Sequence, residues 1–283
     1  MSEEQKKIGD NKGKGEEKEM SFLDHLEELR WHLVRSIAAI FIIGIAAFIG
    51  KDFVFDDVIL GHMKDDFWTY KVFCNISDKL CFGPPALDFD TKVFAEQFLL
   101  SIKVSFLLGF AVAFPYIFWE MWRFIKPGLY KSEKKAATGI VFYCSILFIS
   151  GILFGYYIIA PFAINFLGNF SVSSDIVIQS TSISSYTNYI FLFCIPTGIV
   201  FQLPIFVYFF SRIGLLTPEF MRQYRKHAVI LILLLAAVIT PPDVITQFLI
   251  GIPLFFLYEI SIHISKRTNK KYNADLRVDP DNE

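Results

Sequence analysis

Residues 136–161 read AATGIVFYCSILFISGILFGYYIIAP, 26 positions without an Asp, Glu, Lys or Arg. As a helix rising about 1.5 Å per residue, this stretch is roughly 39 Å long, more than the ~30 Å hydrocarbon core of a bilayer. Outward from it, apolar runs recur at 33–49, 93–119, 186–211, 228–239 and 244–264. The pattern predicts an all-α polytopic membrane protein with six transmembrane helices. The fifth run is the exception, because its 12 residues cover only about 18 Å. Either its helix begins earlier, near Pro218, or the bilayer thins there, and a re-entrant hairpin of the last two segments is a third reading.

Composition agrees with that class. The 283-residue chain is 54% hydrophobic, 17% aromatic and 19% charged, which excludes a disordered or coiled-coil protein. A net charge of −1 gives no basic field for nucleic acid. Residues 1–20 are rich in Lys, Glu and Gly and form a solvated, disordered tail, not a cleaved signal peptide, since a polar helix precedes the first apolar run. The membrane domain is expected over 21–265, and 266–283 form a second tail.

Orientation follows from Lys and Arg in the connections. Residues 1–35 hold seven, 123–135 five, 212–226 four and the end from 264 five, so 21 of 27 lie on one side. That side is cytoplasmic, with both termini inside. The opposite loops 161–185 and 240–243 have none, and 50–92 offsets five with eight Asp.

Enzyme signatures are missing. The five histidines show no HExxH or other ligand spacing, so no metal or cofactor is expected, and no GxSxG, Walker loop or GxGxxG occurs. Cys74 and Cys81 share the long outer loop, where an oxidising compartment allows a small disulfide ring; two free thiols are the alternative. Cys144 and Cys194 read as packing residues, and Gly151 with Gly155 as a close helix contact within the chain.

The polar residues near the inner surface carry more. Residues 21–33 form an amphipathic helix in which Phe22, Leu26, Leu29 and Leu33 make one stripe. Its other face carries Asp24, Glu27 and Glu28, where basic residues are the default. Acid there points to a cationic ligand, or else to complementing the helix dipole, which accounts for Asp24 better than for Glu28. In the second inner loop Glu133 is the one carboxylate among five basic residues. It either pairs with Lys134 or Lys135 or receives a guanidinium, which a carboxylate can hold bidentately. Within the spans, Glu96 and Glu120 lie near the ends and are expected to reach the interface, whereas Lys103, Gln202 and Glu259 lie deeper. Pro196 and Pro204 should kink the fourth span near Gln202, leaving a polar notch or a Gln bonded to a neighbouring helix.

Three motifs in order carry a resemblance. Residues 25–30 (HLEELR), 124–133 (FIKPGLYKSE) and 240–247 (TPPDVITQ), followed by Pro253 and Tyr258-Glu259, resemble the TatC family, the receptor subunit of the twin-arginine protein translocase. The resemblance runs from about Ser21 to Lys266. It implies a concave bundle of six tilted helices with the last two short, and a turn at Pro241, Pro242, Asp243 and Gln247 on the periplasmic side. It implies binding of twin-arginine signal peptides of folded cargo, with Glu28 and Glu133 receiving the guanidiniums and Arg30 and Phe124 shaping the site. It further implies TatA- and TatB-type single-span partners, further copies of the chain itself, the bacterial cytoplasmic membrane and a proton-motive force. Position 202 is Gln where many relatives carry Glu, and residue 32 is His where Arg is usual. The outer loop 51–92 is longer than usual in the family. A rival reading is a secondary transporter for a small solute lined at its midplane by Lys103, Gln202 and Glu259, but the halves show no internal repeat. A membrane anchor without a ligand is the third reading.

Overall fold

The computed structural model describes residues 22–78, 81–91, 93–125, 134–170, 180–239 and 244–278. Its helices are α1 (Phe22–Ile49), α2 (Trp68–Ile76), α3 (Glu96–Ile125), α4 (Lys134–Phe154), α5 (Ala160–Asn169), α6 (Ile183–Val200), α7 (Leu203–Arg212), α8 (Pro218–Gln223), α9 (Arg225–Ile239) and α10 (Val244–Val278). Two short strands, β1 (Asp88–Asp90) and β2 (Ser180–Ser182), pair in parallel with Asp88 opposite Ser180. They tie the first outer loop to the start of α6.

Among the described residues, five helical stretches are long and apolar enough to cross a bilayer: Leu26–Ile49, Glu96–Ile125, Gly139–Asn169, Ile183–Arg212 and Thr246–Lys270. Their outward side chains are apolar, as Phe41, Ile42, Ile45 and Ile49 are along α1, which suits lipid as the solvent. The remaining run is α9, whose 15 residues span about 22 Å. Ahead of it the structure places a separate short helix, α8, which ends at Tyr224. Thr217 caps α8 by accepting from the Phe220 N–H, and Pro218 opens the helix. Tyr224 then joins α8 to α9, with its N–H on the Phe220 carbonyl and its own carbonyl accepting from Ala228. The expectation that both terminal spans are short needs correction. The last one lies in a 35-residue helix in which Thr246–Lys270 is long and apolar enough to cross a bilayer, and that helix continues as far as Val278.

Antiparallel packing of α1 on α3 is the most extensive helix contact. Gly109 permits it: a Cβ there would stand 2.6 Å from the Ile40 carbonyl oxygen and 3.0 Å from the Gly44 nitrogen. Phe41 meets Phe106 and Phe48 meets Phe98 edge-on along the same seam. Gly151 and Gly155 let α4 approach α6, where added Cβ atoms would meet Gly198 and the Phe193 carbonyl at 2.8 and 2.7 Å. The small-xxx-small pair therefore packs within the chain.

Gly155–Ile159, between α4 and α5, is a π-turn, in which the ladder slips by one residue and carbonyls become available to other donors. The segment after α1 uses them. Beyond α1 the chain passes through a π-turn (Val54–Ile59) and a 3-10 turn (Leu60–Met63) into α2. From this segment the His62 Nε2–H donates to the Tyr156 carbonyl at 2.8 Å, and the Thr69 hydroxyl donates to the Tyr157 carbonyl. In return the Tyr156 and Tyr186 hydroxyls donate to the Val58 and Ile59 carbonyls at 2.6 and 3.1 Å. Phe67 stacks on Tyr157, and Phe73, Phe82 and Phe162 complete an aromatic cap. Cys74 and Cys81 are bonded to each other at its edge. His62 is fully buried, and this burial holds its ring down to about pKa 4, outweighing the Tyr156 and Ile59 carbonyls that favour the protonated form.

Candidate functional site

Because α1 and α3 run antiparallel, the start of α1 lies beside the end of α3. Their polar side chains meet there. Glu120 of α3 is 1% exposed, although its place near a span end led to the expectation that it reaches the interface. A buried carboxylate without partners costs several kcal/mol, and this one is supplied with three. His32 Nδ1 donates to Oε2, the Tyr116 hydroxyl donates to Oε1 at 3.0 Å, and the Arg35 guanidinium stands 4.0 Å from Oε2. His32 is itself 4% exposed, and the Ser36 hydroxyl binds its carbonyl at 2.9 Å.

The second ring nitrogen of His32, Nε2, faces Glu28 one helical turn earlier, 3.9 Å from Oε1. The Glu28 side chain keeps 36% of its surface exposed, and at that distance His32 makes no direct hydrogen bond to it. Phe124 packs edge-on against the His32 ring, with centroids 6.1 Å apart. Arg30 turns away from Glu28: it lies over the Trp31 ring at 5.6 Å and 3.7 Å from Glu27, with both charged partners well exposed. Among the expected site residues, the structure thus brings Glu28 and Phe124 together through His32 and leaves Arg30 on the outer face of the helix. Glu133, Pro241, Pro242 and Asp243 fall outside the described residues. Gln247 donates to the Leu233 carbonyl at 3.2 Å, joining α10 to α9.

The deeper polar residues do not converge. Lys103 donates to the Asn188 side chain at 2.6 Å, Gln202 to the Cys144 carbonyl at 3.2 Å, and Glu259 accepts from Arg225 at 2.8 Å. Each is committed to a different helix, so the shared midplane site required by the solute-transporter reading is not formed by these three. Gln202 sits at the break between α6 and α7, ahead of Pro204, where the fourth span was expected to kink. Its Oε1 accepts no hydrogen bond among the described residues.

Similarity to known proteins follows the same architecture. Residues 24–253 match the family model for TatC, Sec-independent protein translocase protein. The chain belongs to the TatC family. It is 38% identical over 265 residues to the TatC protein of Blattabacterium sp. subsp. Periplaneta americana, covering 91% of this chain and 99% of that one. To TatCy of Bacillus subtilis it is 32% identical over 264 residues, with 93% and 95% covered. A crystal structure of the twin-arginine translocase receptor TatC superposes with a TM-score of 0.65 at 32% identity, covering 86% of this chain and 99% of the other. For a TatC-family chain, Glu120 and His32 are what sequence reading missed as a pair. A signal was present: His32 lies four residues after Glu28 and Glu120 four after Tyr116, each pair on one helix face.

Proposed function

We propose that the chain is the receptor for twin-arginine signal peptides in a translocase that moves folded proteins across the bacterial cytoplasmic membrane. The observation that carries this is the half-exposed Glu28 carboxylate, backed by the buried His32 and Glu120 at the inner end of the α1/α3 seam. A guanidinium suits such a carboxylate because its planar fork engages both oxygens, which a Lys ammonium cannot do. Glu133, three residues past the Pro-Gly-Leu-Tyr sequence in the second inner loop, takes the second guanidinium. Phe124 walls the site, and Arg30 on the outer face of α1 attracts anionic headgroups or partner acids around it.

In this reading α9 is the fifth of six spans, both termini are cytoplasmic, and the bundle is concave. The asymmetry of Lys and Arg between the connections supports that orientation. The Pro241-Pro242-Asp243 turn and the disulfide-closed cap then face the periplasm. Residues 1–20 and the end of the chain are cytoplasmic tails flanking a membrane domain over 21–265. The partners are single-span subunits of the TatA and TatB type and further copies of the chain, and transport draws on the proton-motive force. No covalent chemistry belongs to this chain.

The test is binding of a labelled paired-arginine peptide to the detergent-solubilised protein, beside the same peptide with both arginines changed to Lys. The Arg peptide is expected to bind at least about tenfold tighter, a 1.4 kcal/mol difference, and to lose that advantage on Glu28→Ala or Glu133→Ala. Equal weak binding of both peptides would reduce the interaction to surface electrostatics and overturn the assignment.

A further inference from the structure

Lys103 and Glu96 place opposite charges at two depths along one seam. Glu96 opens α3, and Lys103 lies seven residues further in, about 10 Å deeper from the cap side. Both side chains meet the start of α6. The Ser182 hydroxyl, which caps α6 by accepting from the Ser184 N–H, donates to Glu96 Oε1, and Lys103 Nζ donates to Asn188 Oδ1 at 2.6 Å. Glu96 and Ser182 are half-buried, whereas Lys103 and Asn188 are exposed. Asn188 is neutral, so its bond holds the ammonium in place without cancelling the charge, and an ammonium has three N–H donors to give. Leu99 and Phe106, about one turn either side of Lys103, and Leu192, one turn past Asn188, are exposed as well. The surface around the cation is therefore apolar, and what covers it must bring an acceptor of negative charge.

We propose that this seam holds the headgroup of phosphatidylethanolamine from the cap-side leaflet, with its phosphate on Lys103 and its ammonium on Glu96. That lipid carries its phosphate next to the hydrocarbon and its primary ammonium further out, across a two-carbon link. The protein presents the reverse order, cation deep and carboxylate shallow, so each charge of the lipid meets its opposite. Helical side chains lean towards the N-terminus, which for α3 is the cap side, and the lysine stem thus carries its charge outward towards the phosphate level. The acyl chains lie over Leu99, Phe106 and Leu192. A carboxylate offers about four lone-pair positions, so Glu96 can accept from an ammonium N–H beside the Ser182 hydroxyl. Phosphatidylcholine has no such N–H to donate. Phosphatidylglycerol brings no positive charge and sets its net negative charge against that of Glu96. Nothing at the inner end of the bundle is needed for this site.

Delipidated full-length protein in detergent is titrated with phosphatidylethanolamine, phosphatidylcholine and phosphatidylglycerol of the same acyl chains, and the retained lipids are counted by native mass spectrometry. We expect phosphatidylethanolamine to bind about tenfold tighter than either of the others. Glu96→Gln, whose amide oxygen can still accept from Ser182, should erase the preference over phosphatidylcholine. Lys103→Gln, which can still donate to Asn188, should weaken the binding of all three. Thermal midpoints of both variants in lipid-free detergent are expected to match wild type, so that a loss of binding reports on the headgroup and not on folding. Equal affinities of the wild type for the three lipids would overturn the proposal, as would tightest binding of phosphatidylglycerol, the mark of a bare cation. An unchanged lipid preference in both variants would place the lipid elsewhere on the bundle and overturn it too.

Discussion

Acid should loosen the outer cap through one residue. In the closed cap His62 stays neutral down to about pH 4, whereas in an opened cap it takes its proton at the ordinary value of 6.5. Between those values the opened state binds the extra proton. The contribution of the neutral ring is therefore complete above about pH 6.5 and drains away as pH falls towards 4. At 1.36 kcal/mol per pH unit, acidification from pH 7 to 4.5 removes roughly 2.4 kcal/mol, about 50-fold in the opening constant. The physical cost is the loss of the bond to the Tyr156 carbonyl and of a dry site beside Phe67 and Tyr156, whose rings stand 4.6 and 4.3 Å from the imidazole. Hydrogen exchange at the amides of α2, corrected for intrinsic rates, reads the opening free energy at both pH values. His62→Gln places an amide donor near the same carbonyl and cannot titrate. Nearby carboxylates such as Asp57, ion-paired with Lys64 at 2.7 Å, titrate equally in both proteins, so the difference between the two isolates His62. The same acid dependence in wild type and His62→Gln would falsify the argument.

Three further outcomes follow from the packing. Glu120→Ala leaves His32 and Arg35 facing an empty, buried space, and is expected to cost about 3–5 kcal/mol; an unchanged thermal midpoint in detergent would show that Glu120 is not the buried anchor described. Gly109→Ala drives a Cβ into the backbone of α1 and should cost about 1–3 kcal/mol, while Gly139→Ala, whose nearest atom is the Tyr143 ring at 3.8 Å, is tolerated; equal midpoints for the two would contradict the close seam. Reducing the Cys74–Cys81 bridge, which spans seven residues, should lower local stability by about 2–3 kcal/mol, read as faster exchange in α2 with α3 unaffected.

Much of the fold was legible because lipid imposes its demands on every outward side chain, leaving long uncharged runs such as 136–161. The fourth-span break was legible too, since Pro204 removes a donor near Gln202. The π-turn at Gly155–Ile159 was not. A one-residue slip in the ladder leaves no mark in composition, and so the docking of His62 and Thr69 on its carbonyls stayed hidden. The start of α9 was ambiguous because the basic and polar residues from Arg222 to His227 hide both the end of α8 at Tyr224 and the start of α9 at Arg225. At the proposed site, Glu28 drew attention as an acid on a surface helix where basic residues are the default. His32 and Glu120 could not be joined, because they are 88 residues apart and meet only through the register of α1 on α3.

That register also sets the surroundings of Glu28, the carboxylate proposed to bind the guanidinium. At membrane depth an unpaired polar group is expensive, and the helices satisfy theirs internally. Glu96 accepts from Ser182, Lys103 donates to Asn188, Glu259 accepts from Arg225, and Glu120 gathers His32, Tyr116 and Arg35. Each of these has a close partner, although the Oε1 of Glu259 accepts no hydrogen bond among the described residues. Glu28 differs in degree and in kind: its partner stands at 3.9 Å, beyond a direct hydrogen bond, and over a third of its side chain meets solvent. An incoming guanidinium therefore need displace no existing hydrogen bond to reach it, whereas binding at Glu120 or Glu259 would first have to break one. In the proposed receptor, the carboxylate offered to a cation is the one that the α1/α3 packing, closed at Gly109, leaves without a hydrogen bond among the described residues.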